Sequence, residues 1–211
     1  MSKFAILLGG KVTPTVRLKH QLDGAHVIAA DGGMVHAKPL KLSPELWVGD
    51  FDSTPPALAQ TWRNVPRQTH PVEKDASDGE LAISEALRRG ATSLILVGGF
   101  GGQLDHALAH AGFLVALAKR NIPAFMTSGT EEARGLVGEL HLALATDTRL
   151  SIMPLTDLIG LTITGVKWPL NNTKVPLGTA ITLANIALGK VLITLKGGHA
   201  VAITYHPESH A

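Results

Sequence analysis

The sequence predicts an α/β protein, in which an N-terminal parallel-sheet domain is followed by a small all-β sandwich domain. Two observations predict this fold class. In the first part of the chain, apolar runs that end at glycine or aspartate alternate with helical segments, as buried parallel strands do. In the rest, short runs rich in Val, Ile, Thr and Leu are separated by turn residues. The pattern changes near residues 128–135, so we place the domains at residues 1–130 and 131–211.

The first domain is expected to be Rossmann-like, with ligands bound beyond the carboxyl ends of its strands. Its strands are predicted at residues 4–8, 25–30, 46–48 and 93–97. A helix is predicted from Ser77, because Ser77 and Glu80 form a capping box and Gly90 is a typical helix stop. A second helix is predicted over residues 104–120, and because it is apolar nearly all round we expect it to be buried on both sides.

The second domain is predicted to contain strands and turns only. The strands are expected at residues 150–153, 161–163, 180–183, 191–195 and 200–205. Turns are expected at residues 164–165, 171–172 and 197–198, where glycine and asparagine interrupt the apolar runs.

Composition narrows the range of partners. Apolar residues make up 45% of the 211 residues and charged residues 17%, which is typical of a globular protein. The net charge is +2 and there is no run of basic residues, so we expect no nucleic-acid partner. No segment approaches the roughly 18 apolar residues of a membrane span, and the first apolar run is too short for a signal peptide. Without cysteine there is no disulfide, and we expect a cytoplasmic protein.

A metal site is predicted where aspartates follow or adjoin the strand ends. Asp50 and Asp52 end an apolar run, Asp31 ends another, and Asp78 opens the predicted helix. Carboxylates held together repel one another, and a hard cation such as Mg²⁺ removes that cost. The alternative for Asp50 and Asp52 is a surface turn with a helix cap. Because Asp31 and Asp78 add further carboxylates near strand ends, we favour the metal site over the surface turn.

Phosphate contacts are predicted beside these carboxylates. The glycines of residues 98–102 precede a helix, where exposed backbone N–H groups attract anions, although the loop fits neither the dinucleotide nor the P-loop pattern. Lys74 is a candidate phosphate ligand. His106 and His110 are one helical turn apart, but without a nearby glutamate we interpret them as buried, hydrogen-bonded side chains rather than zinc ligands. Trp168 is either a core residue or a stacking face for a cationic ring.

Together these motifs resemble the thiamine pyrophosphokinase (thiamine diphosphokinase) family. In the family's order, the matching segments are Asp31-Gly32-Gly33, Gly49-Asp50-Phe51-Asp52-Ser53, Lys74-Asp75-x-Ser77-Asp78, Gly98-Gly99-x-Gly101-Gly102-x-x-Asp105-His106 and Gly165-Val166-Lys167-Trp168-Pro169-Leu170. The resemblance implies the reaction of ATP with thiamine, in the presence of Mg²⁺, to give AMP and thiamine diphosphate. It also implies a homodimer that binds thiamine where the β domain of one subunit meets the catalytic domain of the other.

The resemblance also implies roles for individual residues. Those assigned to catalysis are Asp50, Asp52, Asp78 and Lys74, and Asp31 joins the three aspartates as a metal ligand. Those assigned to the nucleotide are Asp31, Gly32, Ser77, Gly99, Gly101, Gly102, Gln103 and Asp105, and those assigned to thiamine are Trp168 and Asn185.

The chain departs from the family pattern at three positions. Gln103 replaces the usual arginine, Ser77 the usual threonine, and Ala184 the usual serine before Asn185. Two alternatives stay open. One is a pyrophosphokinase for another alcohol such as a pterin, against which the thiamine-type motif of the β domain argues. The other is a non-catalytic thiamine or nucleotide sensor, which stays open because Gln103 replaces an arginine that would neutralise phosphate.

Overall fold

The computed structural model describes residues 2–52, 54–70 and 76–207. They form two compact units. The first comprises the described residues up to His110 together with Ile122–Gly129, and the second comprises Ala111–Asn121 with the described residues from Thr130. Lys74, predicted to hold phosphate, lies outside the described residues.

The first unit is built on a parallel sheet. Its strands are β1 Lys3–Leu7, β2 His26–Ala30, β3 Leu46–Gly49, β4 Arg67–Thr69, β5 Ser93–Val97 and β6 Ala124–Thr127. They lie side by side in the order β4-β3-β2-β1-β5-β6, and all neighbours are parallel. The order reverses between β1 and β5, so the loops that follow these two strands flank the crevice where such sheets bind ligands.

Helices and a short 3₁₀ helix complete the connections. They are α1 Val16–Leu22, the 3₁₀ helix Asp31–His36, α2 Pro56–Thr61, α3 Asp78–Arg88 and α4 Leu104–Lys119. Ser77 caps α3 as predicted, since its Oγ accepts a hydrogen bond from the Glu80 N–H at 3.3 Å. None of the helices within the described ranges has both the length and the apolar character that a membrane span requires.

The core of the first unit lies against the sheet and is formed by apolar side chains of the strands, α1 and the 3₁₀ helix. Its fully buried members include Leu7, Leu18, Ala29, Met34 and Trp47. Trp47 is the largest of them, and its indole N–H donates to the Asp31 carbonyl at 2.9 Å. The core therefore reaches directly to the strand end that carries Asp31.

The second unit is mainly β structure. Its strands are β7 Glu131–Leu136, β8 Glu139–Ala143, β9 Arg149–Pro154, β10 Leu158–Val166, β11 Leu170–Val175, β12 Asn185–Thr194 and β13 Ala200–Tyr205. β13 pairs with β7 and β9, whereas β12 pairs with β8 and β10, and the start of β12 also pairs with β9. Apolar side chains of both groups of strands share one core. The predicted fold class, an α/β domain followed by an all-β domain, is confirmed.

Several local predictions were wrong. Residues 180–183 form no strand but a turn, in which the Leu183 N–H donates to the Ala180 carbonyl at 3.0 Å. Thr182 exchanges two hydrogen bonds with Ile152 of β9, one through its carbonyl and one through its hydroxyl. Residues 171–172 lie inside β11 rather than in a turn, and residues 164–165 lie inside β10, where the pairing register shifts at Gly165. Asn172 and Gly165 have positive φ values of 48° and 75° and lie where the strand pairing is irregular, so the residues that suggested turns mark irregularities within strands.

Burial of α4 on both sides was also a wrong prediction. In its first turns Leu104 is 73% exposed and Leu108 is 60% exposed, whereas Leu114 and Leu117 farther along are buried. The apolar sequence of the helix does not distinguish these two halves, because burial depends on what the rest of the chain places against each one.

Candidate active site

A cavity of about 370 Å³ lies at the switch point of the parallel sheet. The loops after β1 and β5, the first turn of the 3₁₀ helix and the start of α3 form its wall. Many of the residues predicted to bind nucleotide or metal line it, namely Asp31, Gly32, Ser77, Asp78, Gly99, Gly101, Gly102 and Gln103. The cavity thus combines carboxylates, exposed glycine backbone and a helix N-terminus.

Asp31 is the most constrained carboxylate of the site. It follows β2 with a positive φ of 39°. Its Oδ1 atom is buried and has no hydrogen-bond partner among the described residues. Burial raises the pKa of Asp31, a hydrogen bond from the Gly32 backbone opposes the rise, and the charges of Asp78, Asp50 and Asp52 add to it. A buried, unpartnered oxygen among like charges is suited to a cation.

Asp50 and Asp52 flank Phe51 just beyond β3. Asp50 Oδ1 accepts a hydrogen bond from the Asp52 N–H at 3.2 Å, and Asp52 is exposed. Neither aspartate lines the cavity, although both act on the pKa of Asp31. Within residues 2–52, 54–70 and 76–207, no three acidic or histidine side chains are grouped closely enough to hold a metal by themselves. Mg²⁺ commonly takes one or two carboxylates and completes its shell with water and phosphate oxygens.

The loop after β1 is part of the site that sequence reasoning missed. Gly10 donates its N–H to the Gly98 carbonyl at 2.8 Å, which joins the two glycine loops. A Cβ atom at Gly10 would collide with the carbonyl oxygens of Phe100, Gly98 and Gly101, whereas one at Gly9 would meet nothing. The signal was present in the sequence, since Gly9-Gly10 ends the first strand run beside the switch point.

Two histidines hold these glycine loops. His110 is 7% exposed, and its Nδ1 donates to the Gly99 carbonyl at 3.1 Å, while His36 Nε2 donates to the Gly10 carbonyl at 2.8 Å. Burial lowers the pKa of both imidazoles, so the neutral tautomers are favoured. The interpretation of His110 as a buried, hydrogen-bonded side chain is confirmed. It was wrong for His106, which is exposed and lines the cavity.

Asp105, predicted to bind nucleotide, does not line the cavity. It is exposed in the first turn of α4, and its Oδ1 accepts a hydrogen bond from the His106 N–H at 2.9 Å. That contact satisfies one of the N–H groups that the first turn of a helix leaves without a backbone partner.

In the second unit, the structure brings Trp168 and Asn185 together. The backbone N–H of Trp168 donates to Asn185 Oδ1 at 3.1 Å, and Asn185 Nδ2 donates to the backbone carbonyl of Trp168 at 2.7 Å. Trp168 is 54% exposed, so it is not a core residue, and Lys167 Nζ lies 4.9 Å from the centroid of its indole. Asn185 therefore fixes the backbone that presents an exposed aromatic face.

Comparison with protein families assigns both parts of the chain. Residues 19–126 match the thiamin pyrophosphokinase catalytic domain, and residues 139–198 match the thiamin pyrophosphokinase vitamin B1 binding domain. The chain belongs to the thiamin pyrophosphokinase family. It is therefore an ATP-dependent diphosphotransferase, as the motifs predicted, and the predicted function of thiamine pyrophosphokinase is confirmed.

Individual relatives agree with this assignment. The thiamine pyrophosphokinase of Bacillus subtilis (strain 168) is 29% identical over 166 residues, which are 75% of this chain and 76% of that protein. A crystal structure of the Bacillus subtilis enzyme superposes with a TM-score of 0.85 at 24% identity, covering 97% of this chain and 99% of the other. The Candida albicans enzyme superposes with a TM-score of 0.81 at 15% identity, covering 98% and 89% of the two chains. At these identities the two structures show that the fold is shared.

Proposed function

We propose that this protein transfers the pyrophosphoryl group of ATP to the hydroxyl of thiamine, releasing AMP, and that the cavity of the first unit holds the nucleotide. The observation that carries the proposal is the cavity at the switch point, where Asp31 and Asp78 face the glycines of both loops. We assign nucleotide binding to residues 1–130 and thiamine binding to residues 131–211, and we place the enzyme in the cytoplasm.

The acidic residues are suited to Mg²⁺. Asp31, Asp50, Asp52 and Asp78 would hold it, since the buried Oδ1 of Asp31 has no partner among the residues that the structure describes, and the charges of the other three raise the pKa of Asp31. When bound, Mg²⁺ neutralises charge on the triphosphate and on these carboxylates. Lys74 would add a positive charge to the phosphate site. Because Gln103 replaces the usual arginine, Lys74 and the metal would neutralise the negative charge of the phosphate groups.

The chain's own groups do the positioning. Backbone N–H groups of Gly99, Gly101 and Gly102 and the N-terminus of α3 at Ser77 cradle phosphate oxygens. The thiamine hydroxyl attacks the β-phosphorus of ATP, one carboxylate of the cluster takes its proton, and AMP leaves. Such transfer depends mostly on orientation and charge stabilisation.

Thiamine is proposed to bind at Trp168, whose exposed indole offers a face for its cationic ring. Asn185 holds the Trp168 backbone in place. The match of residues 139–198 to a vitamin B1 binding domain favours thiamine over a pterin.

We further propose a homodimer, supported by the exposed apolar side chains of Leu104 and Leu108 at the start of α4.

The test is product formation by the purified protein from ATP, Mg²⁺ and thiamine. We expect AMP and thiamine diphosphate in equal amounts, lost with a chelator. Asp52→Asn should lower kcat at least about 100-fold without changing the melting temperature. Asp147→Asn is the matched control, since Asp147 is exposed in the second unit at a φ of 67° that asparagine tolerates.

Three outcomes would contradict the proposal. An Asp52→Asn enzyme with full activity would remove these carboxylates from the reaction. Thiamine binding without product would indicate a sensor. Product from a different alcohol only would indicate another acceptor.

A further inference from the structure

Phe51, the residue between Asp50 and Asp52, has an unusual backbone. Its φ is 63°, in the left-handed region that bulky side chains rarely adopt. Such a conformation persists only where surrounding contacts over-determine it. The direction of both neighbouring carboxylates depends on it, since each is attached to the same turn.

Two side chains hold the Phe51 ring. The Trp47 indole packs against it edge to face, with centroids 5.1 Å apart and planes at 87°. The Arg67 guanidinium carbon lies 5.1 Å from the Phe51 centroid and 4.9 Å from that of Trp47. Trp47 and Arg67 are partners in the β3–β4 pairing, so the sheet itself sets this arrangement. Cation–π and aromatic pairs of this kind have defined geometry.

The same cluster is connected to Asp31 and to α2. Trp47 is fully buried, and its Nε1 donates to the Asp31 carbonyl at 2.9 Å. Arg67 Nη2 donates to the Ala59 carbonyl of α2 at 3.2 Å, which fixes the guanidinium from its outer side. One indole therefore contacts both acidic segments, the end of β2 and the turn after β3.

We propose that Trp47, Phe51 and Arg67 are positioning residues that set Asp50 and Asp52 relative to Asp31 for a divalent cation and its bound triphosphate. The inference rests on the proposed function, which places the cation at these carboxylates. The ring contacts act on the carboxylates through the backbone turn, and none of the three side chains lines the cavity.

The test is Mn²⁺ affinity, measured by electron paramagnetic resonance with a non-hydrolysable ATP analogue, so that it does not depend on turnover. Phe51→Leu and Arg67→Gln should each weaken Mn²⁺ binding about tenfold, as loss of groups that orient metal ligands commonly does. Phe51→Tyr keeps the ring and should stay within about twofold of the parent. Arg63→Gln, an exposed arginine close in sequence, is the matched control and should change nothing.

Asp52→Asn separates the two proposals. If it weakens Mn²⁺ binding while folded Phe51→Leu and Arg67→Gln do not, the positioning role is overturned and the metal site stands. If Asp52→Asn leaves Mn²⁺ affinity unchanged, the proposed metal site fails. Thermal unfolding establishes that each variant is folded. If Phe51→Leu does not fold, the Mn²⁺ affinity of Arg67→Gln, a substitution at an exposed residue, tests the positioning role.

Discussion

At the scale of single residues, the charge of Asp31 in the candidate active site lowers the stability of the folded protein. Asp31 is partly buried, which raises its pKa, and the charges of Asp78, Asp50 and Asp52 raise it further against a hydrogen bond from the Gly32 backbone. Its Oδ1 atom has no hydrogen-bond partner in the described part of the chain. A group whose pKa is raised on folding stabilises the folded state below its ordinary value of 3.8 and loses that contribution as the pH rises through the folded value. At neutral pH the charge of Asp31 is therefore a cost, which a bound cation would offset.

Asp31→Asn is expected to be more stable but inactive. Without Mg²⁺ near pH 7, its melting temperature should exceed that of the parent by about 2–4 °C, the shift that roughly 1 kcal/mol produces at this chain length. Thermal unfolding monitored by circular dichroism measures this. Added Mg²⁺ and ATP should raise the melting temperature of the parent more than that of the variant. A variant less stable than the parent would contradict this account of Asp31.

Adjacent glycines in the loop after β1 provide a second residue-scale prediction. Gly10→Ala should lower the free energy of unfolding by about 2–4 kcal/mol, because its Cβ would push against three backbone carbonyls that cannot move aside. Gly9→Ala is the matched control and should stay within about 0.5 kcal/mol, since its Cβ meets nothing. Urea unfolding of both variants checks the difference, and equal losses would refute the steric explanation.

At the scale of elements, α3 shows how a helix is fixed at both ends. Ser77 caps its start, and Asp78 and Glu80 in its first turn complement the helix dipole. Glu85, only 7% exposed, pairs with Arg88 and Arg89 at 2.7 Å each. The hydrogen bond from Arg88 chiefly lowers the pKa of Glu85, to about 2, with Arg89 adding to the effect against the opposing cost of burial. These contacts stabilise the helix whose first residues line the cavity.

Glu85→Gln should lower the free energy of unfolding by about 1.5–3 kcal/mol at pH 7, the usual contribution of hydrogen bonds to charged groups. Because the folded pKa lies below the ordinary value of 4.5, the stabilisation by Glu85 is complete above that value and is lost as the pH falls toward 2. Chemical unfolding at pH 7, 4.5 and 3 should show the gap between parent and variant closing. A gap that does not vary with pH would mean that the ion pairs do not contribute.

At the scale of the whole molecule, apolar surface is left uncovered on α4. Leu104 and Leu108 are four residues apart, so both lie on one face of the helix. Large exposed apolar side chains on one face are typical of an interaction surface. A second copy of the chain is the occupant that the family resemblance implies.

Leu108→Glu is accordingly expected to convert the proposed dimer into a monomer, because the glutamate charge would lose its water at the proposed interface. Size-exclusion chromatography with light scattering measures the mass. Val16→Glu, at a 70% exposed apolar residue on α1, is the control and should leave the mass unchanged. A parent protein that is monomeric at micromolar concentration would refute the dimer.

The sequence by itself determined the features that depend on local pattern. Apolar runs ending at glycine or aspartate located β1, β2, β3 and β5, and the capping box located α3. The strand-end rule placed Asp31, Asp50, Asp52 and the glycines after β5 at one edge of the sheet. Asp31 and those glycines line one cavity, whereas Asp50 and Asp52 do not line it. The local predictions succeeded because strand period, helix caps and glycine turns are properties of a few consecutive residues.

Tertiary structure alone decided which distant side chains meet. The contacts of His110 with Gly99, of His36 with Gly10, and of Trp47 with Asp31 follow from the order of strands in the sheet. Exposure at the start of α4 likewise depends on what the fold places beside it. Local periodicity specifies which face of a helix or strand is apolar. It does not specify which other element packs against that face, because strand order is set by the free energy of the whole folded chain.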